Sequence, residues 1–259
     1  MIVNPYIFGG YDADALAFFT ATGITDTSIK NCVNTLVLDL KAAGIWTKMK
    51  AIYPFVGGTA TTHKYNLKNP ADTNAAFRLV FSGGWTHSST GALPNGTNAY
   101  ANTYFNPSSD VTTTSFSMGY YSRTNNNTIV CDFGAASDGT NSYAQLLIRL
   151  SGLFYGQINS NGIIENVSNS DSRGLYMGSR TSSHSLYLQR NSSQTSFTQS
   201  TGAPNYNLYL GCRNTIGSPN LYSARECAFA FTGDGLTTTN GTDLYTIIQN
   251  FQTCLGRQV

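Results

Sequence analysis

The chain has 259 residues, 41% of them hydrophobic but only 11% charged, with a formal net charge of +2; soluble domains typically carry about 25% charge. Ser, Thr and Asn together make up about a third of it, and the only glutamates are Glu165 and Glu226. So small a net charge excludes an electrostatic nucleic-acid binder or a basic membrane-docking surface, and a chain poor in Glu and Lys but rich in Thr, Tyr, Phe and Gly is not a helical bundle or coiled coil.

In chain order, a short helix is predicted over Asp12–Ala21, with Leu16 and Phe19 three apart and Gly23 ending it. Asp26 or Thr27 caps a second helix, along which Ile29, Cys32, Val33, Leu36, Val37 and Leu40 recur at three- and four-residue steps. Gly44 sits where that helix should stop. A first strand is expected near Tyr53–Val56, before Gly57-Gly58. Beyond residue 75 the period changes to two. Strand-like segments are Phe77–Phe81, Phe116–Tyr121, Ala144–Leu150, Leu153–Ile158, Ser185–Arg190 and Asn207–Arg213, separated by clusters of Gly, Asn, Ser or Pro. A final helix follows Thr237–Asn240, with Leu244, Ile247, Ile248, Phe251 and Leu255 at helical spacing and Gly256 as its stop.

Many short strands with polar turns indicate a mostly β protein, a two-sheet sandwich with a short N-terminal helical segment and a C-terminal helix. The division expected is 1–58, an N-terminal anchor and helical segment packed on the sandwich, and 59–259, the sandwich with its terminal helix, together one compact unit. Neither terminal helix can bury its apolar stripe alone, so both should pack against the same sandwich. No apolar run is long enough to span a membrane, and Met1–Tyr6 lacks the pattern of a secretory signal. Cys32, Cys131, Cys212, Cys227 and Cys254 are odd in number, contain no CxxC pair and lie in apolar or strand-like stretches. They are expected to be buried free thiols of a reducing compartment.

The supply of catalytic groups is small. The two glutamates lie too far apart in sequence for the alternating carboxylates of glucanase-type sandwiches. Asp132, Asp138, Asp171 and Asp234 fall among turn residues, there is no Gly-x-Ser-x-Gly elbow, and no phosphate-binding glycine loop occurs. The chain is therefore expected to be non-enzymatic. No cofactor or metal is expected, since His63, His87 and His184 show no ligand spacing to any Cys. Asp138-Gly139-Thr140-Asn141 is the nearest approach to a calcium loop and reads as a turn. Five sequons, the first at Asn95-Gly96-Thr97, are expected to be unused.

Alternation points to candidate binding residues. It places Tyr121 and Arg123, Arg149, Tyr187 and Gln189, and Tyr209 and Arg213 on the faces of four strands opposite the apolar set. Tyr and Arg are the residues of interface hot spots, and aromatic faces stack on sugar rings. Equally, they suit ordinary solvent-facing strand positions. Trp85 and His87, in the polar stretch Trp85–Gly91, form a second candidate, although Trp85 also suits the edge of a core.

Several longer segments are similar to a module of bacteriophage virion, tail and appendage proteins, of the kind carried by phages of Bacteroidetes-type bacteria. They include Gly44–Gly58, His63–Pro70, Phe81–Ser88, Pro94–Thr97, Tyr120–Thr124, Leu208–Gly211, Gly233–Thr237 and Phe251–Val259. The resemblance runs from about residue 10 to the end. It implies a concanavalin A-like (laminin-G-like) jelly-roll sandwich serving as a capsid spike, head fibre or tail appendage. It also implies residence in the virion after synthesis in the host cytoplasm, and partnership with other virion proteins. A homo-oligomer is expected, a trimer favoured, with possible contact to host surface glycans but not to nucleic acid or the membrane interior. Only Met1–Gly10 would form a separate anchor, which favours a small appendage over a tail fibre. The alternatives are a stand-alone glycan-binding lectin and, against the missing carboxylates, a polysaccharide depolymerase.

Overall fold

The computed structural model describes residues 10–137, 142–162 and 164–259. Its first helix, α1 (Ala13–Thr22), begins where the Asp12 carboxylate accepts the Asp14 N–H and ends at Gly23 in the left-handed region. Helix α2 (Thr27–Ala42) starts in the same way, with Asp26 accepting from Ser28 and Ile29. After a single 3-10 turn come strand β1 (Met49–Tyr53) and the one-turn helix α3 (Ala60–His63), held by a capping box between Thr59 and Thr62. Strands then run β2 (Val80–Ser82), β3 (Trp85–Ser88), β4 (Gly91–Pro94), β5 (Tyr100–Asn102), β6 (Phe116–Ser122) and β7 (Phe133–Ser137). They continue with β8 (Ser142–Leu150), β9 (Leu153–Asn161), β10 (Glu165–Ser168), β11 (Gly174–Arg180), β12 (Ser185–Arg190) and β13 (Ser193–Thr198). The last are β14 (Tyr209–Leu210), β15 (Arg213–Thr215), β16 (Ser218–Asn220) and β17 (Cys227–Gly233), before helix α4 (Thr238–Cys254).

Two sheets face each other. The first has the order β13-β12-β11-β6-β17-β4-β3, with β1 added on β17; the second runs β10-β9-β8-β7-β14-β5-β2, with β15 and β16 attached beside β7. Between them lies one core, to which β6 contributes Phe116, Met118 and Tyr120, and β8 contributes Ala144, Leu146 and Ile148. The opposite face of the first sheet is covered as well. Tyr121, Met177, Tyr187, Phe229 and Phe231 pack there against Leu36 and Leu40 of α2 and Leu244, Ile248 and Phe251 of α4. The molecule is therefore a mostly β sandwich with a helical third layer, and both terminal stripes are buried on the same sheet.

Local chemistry explains where the elements depart from expectation. The first strand lies earlier than Tyr53–Val56, because Pro54 has no N–H for the ladder and Phe55 turns to φ 47. Phe77, at φ 57, closes a 3-10 turn, so strand pairing there begins only at Val80. The segment Asn207–Arg213 is broken into β14 and β15 by Gly211 at φ 83. The division after residue 58 falls beyond β1, which is itself part of the first sheet. The turn Asp138–Asn141 lies outside the described residues, as does most of Met1–Gly10.

The cysteine expectation is corrected. Cys32 and Cys254 form a disulfide, Cα atoms 5.8 Å apart, joining α2 to the end of α4 across 222 positions of sequence. Their helices pack side by side, which brings together two residues from opposite ends of the chain. Cys131, Cys212 and Cys227 are free and buried.

Buried arginines fix the irregular segments. Nη1 of Arg225 donates to both oxygens of Asp132 at 3.0 and 2.9 Å, both side chains fully buried, and Asp132 also accepts from Ser223. Arg257 donates to the carbonyls of Pro54, Phe55 and Ala228 and to Gln252, pinning the C-terminal tail against the start of the chain.

Candidate functional site

The turn Ser82-Gly83-Gly84 carries the chain directly from β2, at the edge of the second sheet, to β3, at the edge of the first. Only glycine fits at Gly83, which has φ 74 and whose Cβ would strike the Asn98 carbonyl. Both sheet edges thus end in one rim. Because side chains alternate along a strand, Trp85 and His87 leave β3 on the same side and meet Phe81 from β2. Phe81 stands edge-on to Trp85 (centroids 5.2 Å) and to His87 (4.7 Å). Trp85 is fixed by its indole N–H, directed at the Ser82 and Tyr100 carbonyls, and it lies against Gly211, where a Cβ would come within 3.0 Å of the ring. All three side chains are half-buried.

Behind the rim, the Nδ1 atoms of His63 and His87 are 2.9 Å apart. Nε2 of His63 is buried without a partner. A neutral His63 that donates from Nδ1 leaves only a lone pair at that buried position, whereas the other tautomer would strand an N–H there. The lone pair costs less, particularly in the field of Arg257. Burial, then His87 and Arg257, push His63 down to about 3, and burial also lowers His87. Both rings are neutral at pH 7, and His87 is held with Nε2 away from its partner.

Beside β2 is a groove of about 320 Å³, lined by Ala60, Thr61, Lys64, Arg78, Leu79, Val80 and Phe81. Phe81 therefore belongs to both the rim and the groove. Lys64 Nζ and Arg78 Nη1 approach the two oxygens of Asp72 at 2.6 and 2.7 Å, and together hold that carboxyl below its ordinary range. Arg78 is further oriented by Nε donating to Asn74. The volume is at the low end for small-molecule sites.

The structure separates the other candidates. Tyr121, Tyr187 and Gln189 are buried beneath α4 and are corrected as contact residues. Tyr121 donates to Gln249, Tyr187 to the Thr237 carbonyl, and Gln189 to the Gly241 carbonyl. The alternation that placed them opposite the inter-sheet core was right, but that face belongs to a second core rather than to solvent. Arg123 donates to Glu226 and to the Arg257 carbonyl, so it too secures the tail. Arg149, Tyr209 and Arg213 lie on the second sheet. Arg149 donates to Asn125, Arg213 to Thr215 and Asn220, and Tyr209 stacks on Tyr100 with centroids 4.8 Å apart. The face that sequence suggested is thus two faces on opposite sides of the sandwich. His63, Lys64, Arg78 and Phe81 were not singled out as site residues, because only the turn at Gly83 and the packing of α3 bring them to the rim. Among the described residues, no cluster of three or more His, Cys, Asp or Glu side chains is arranged to hold a metal.

No protein-family model matches the chain, and no curated protein matches it. Several solved structures align with it in part. Domain 4 of an extracellular arabinanase from Geobacillus stearothermophilus, solved with arabinotriose, aligns at 15% identity and a TM-score of 0.45, over 76% of this chain and 98% of that one. The binding domain of botulinum neurotoxin serotype D aligns at 11% identity and 0.46, over 78% and 52%. The NanB sialidase of Streptococcus pneumoniae aligns at 15% and 0.40, over 51% and 24%, so the chain spans about a quarter of that enzyme. All three alignments have TM-scores below 0.5.

Proposed function

We propose that this chain is a non-enzymatic recognition module, a structural and adhesive part of a bacteriophage particle that meets glycans at the rim formed by Phe81, Trp85 and His87. The observation that carries the glycan reading is a partly exposed aromatic wall, rigidly held and open onto a groove with polar and cationic lining. Such walls stack on sugar faces, and fixed rings lose little entropy on binding. The placement in a virion is supported by the sequence segments similar to phage modules. The disulfide is in keeping with service outside a reducing cytosol.

A glycan array probed with the parent protein and with Trp85→Ala tests the binding role. Binding that is lost in the variant, with melting temperature preserved, is the expected result. Uniform absence of binding, or binding indifferent to the variant, overturns it. Immunogold labelling of purified particles tests the placement, and release of reducing sugar from a bound polysaccharide would refute the non-enzymatic assignment.

A further inference from the structure

The geometry points to a carboxylated sugar, of the uronic-acid kind, as the ligand of the groove beside β2, with Lys64 and Arg78 receiving its carboxylate. The inference rests on the glycan-binding reading of the rim and specifies its ligand class. Two cations line the groove and share a single acid, Asp72, so their immediate surroundings carry an excess positive charge. The pair is already set at a spacing that one carboxylate spans, Lys64 on one oxygen and Arg78 on the other. Arg78 is held by Nε on Asn74 and by Nη1 on both the side chain and the carbonyl of Asp72, and its Nη2 has no partner among the described residues. Lys64 uses one of its three protons on Asp72. A second carboxylate therefore finds unused donors on side chains whose orientation is already fixed. Charge-assisted contacts of this type are shorter and stronger than neutral ones. Val80 and Phe81, both partly exposed, supply apolar contact for a sugar ring at the groove, with the rim aromatics continuing past it. A neutral sugar would leave the remaining donors of Lys64 and Arg78 unused; an acidic one uses both halves.

The probe is hexameric oligogalacturonate, set against the same oligomer with its carboxyls reduced to primary alcohols. Isothermal calorimetry on the full chain should show the acidic form binding about tenfold or more tightly than the reduced form, a difference of about 1.4 kcal/mol. Its affinity should fall as salt is raised from 20 to 300 mM. Arg78→Gln and Lys64→Gln should each weaken the acidic form about tenfold and leave the reduced form unchanged. Both side chains are partly exposed, so little stability is at stake, and the two variants serve as checks on each other. Equal binding of the two oligomers overturns the acidic assignment, as does unchanged binding by both variants. So does a glycan array showing only neutral ligands lost in Trp85→Ala, and in those cases the rim reading stands. If neither oligomer binds and no arrayed glycan depends on Trp85, both fall together.

Discussion

Breaking the Cys32–Cys254 bond should unfold the helical layer before anything else is disturbed, and its cost can be worked from the chain. The bond closes a loop of 222 residues. The loop-entropy relation gives about 5 kcal/mol for closure of that size, as an upper figure, while removal of native disulfides more commonly costs about 2–5 kcal/mol. For a domain of this length about 2–4 °C of melting temperature corresponds to 1 kcal/mol, so a fall of roughly 5–15 °C is expected. Cys254 is exposed, so reductant reaches the bond in the folded protein. The assay is a thermal melt with and without a phosphine reductant, beside Cys32→Ser/Cys254→Ser. Mass spectrometry after alkylation in denaturant supplies the thiol count. Without reductant, the three thiols of Cys131, Cys212 and Cys227 should be alkylated, and all five cysteines after reduction. Five alkylated thiols in the unreduced protein, or a double variant melting within a degree of the parent, would refute the reasoning.

Acid should destabilise the rim. In the unfolded chain His63 takes up a proton below about pH 6.5, while in the folded protein it resists until about pH 3. Stability is therefore full above pH 6.5 and declines as pH falls toward 3, by about 1.4 kcal/mol per pH unit for this residue. Urea unfolding at pH 7.5 and 4.5 should show this loss in the parent but reduced in His63→Leu; equal losses would count against it. Asp132→Ala leaves Arg225 buried and unpaired, and should cost about 3–5 kcal/mol in chemical denaturation. Tyr187→Ala should lower stability by about 3 kcal/mol or more through lost packing under α4, whereas Tyr209→Ala, on the outer face of the second sheet, should change it by less than half as much. Removal of residues 237–259 takes away α4 and opens the face around Phe229 and Phe231, so the shortened chain should aggregate; a soluble, cooperatively melting one would contradict the shared helical layer.

The terminal helices were legible because their stripes and caps are local: Asp26, Thr237 and the apolar spacing suffice. So were the longer strands β6, β8, β9 and β12, where alternation runs for six residues or more. Strand β17 was missed although it lies between β6 and both β1 and β4, because with both faces buried it shows no polar alternation. The same double burial misdirected the reading of Tyr121, Tyr187 and Gln189. Alternation reports which side chains point the same way, but not what waits on the other side. Trp85 and His87 were noticed as residue types, yet read as loop, since β3 is short and follows a turn. His63 gave no local sign at all; its meaning comes from a neighbour 24 positions away. The disulfide left one trace, in that Cys32 sits on an apolar helical stripe and Cys254 falls in the last turn of another, whereas the other three cysteines lie outside the helices.

The covering of the first sheet on both sides has a consequence for how the sequence is free to drift. In that sheet's central strands β6, β11 and β17 every residue is buried, in one core or the other, so few replacements there leave the fold intact. The second sheet has no helical layer on its outer face, although Gln145, Leu147 and Gln157 are buried there. Its partly exposed outer positions, among them Tyr100, Arg149, Tyr209 and Arg213, and the exposed fringe of the rim are less constrained. The sandwich divides into a half that must stay constant and a half that can change without unfolding, and a surface that tracks a varying partner has its room for change in the second.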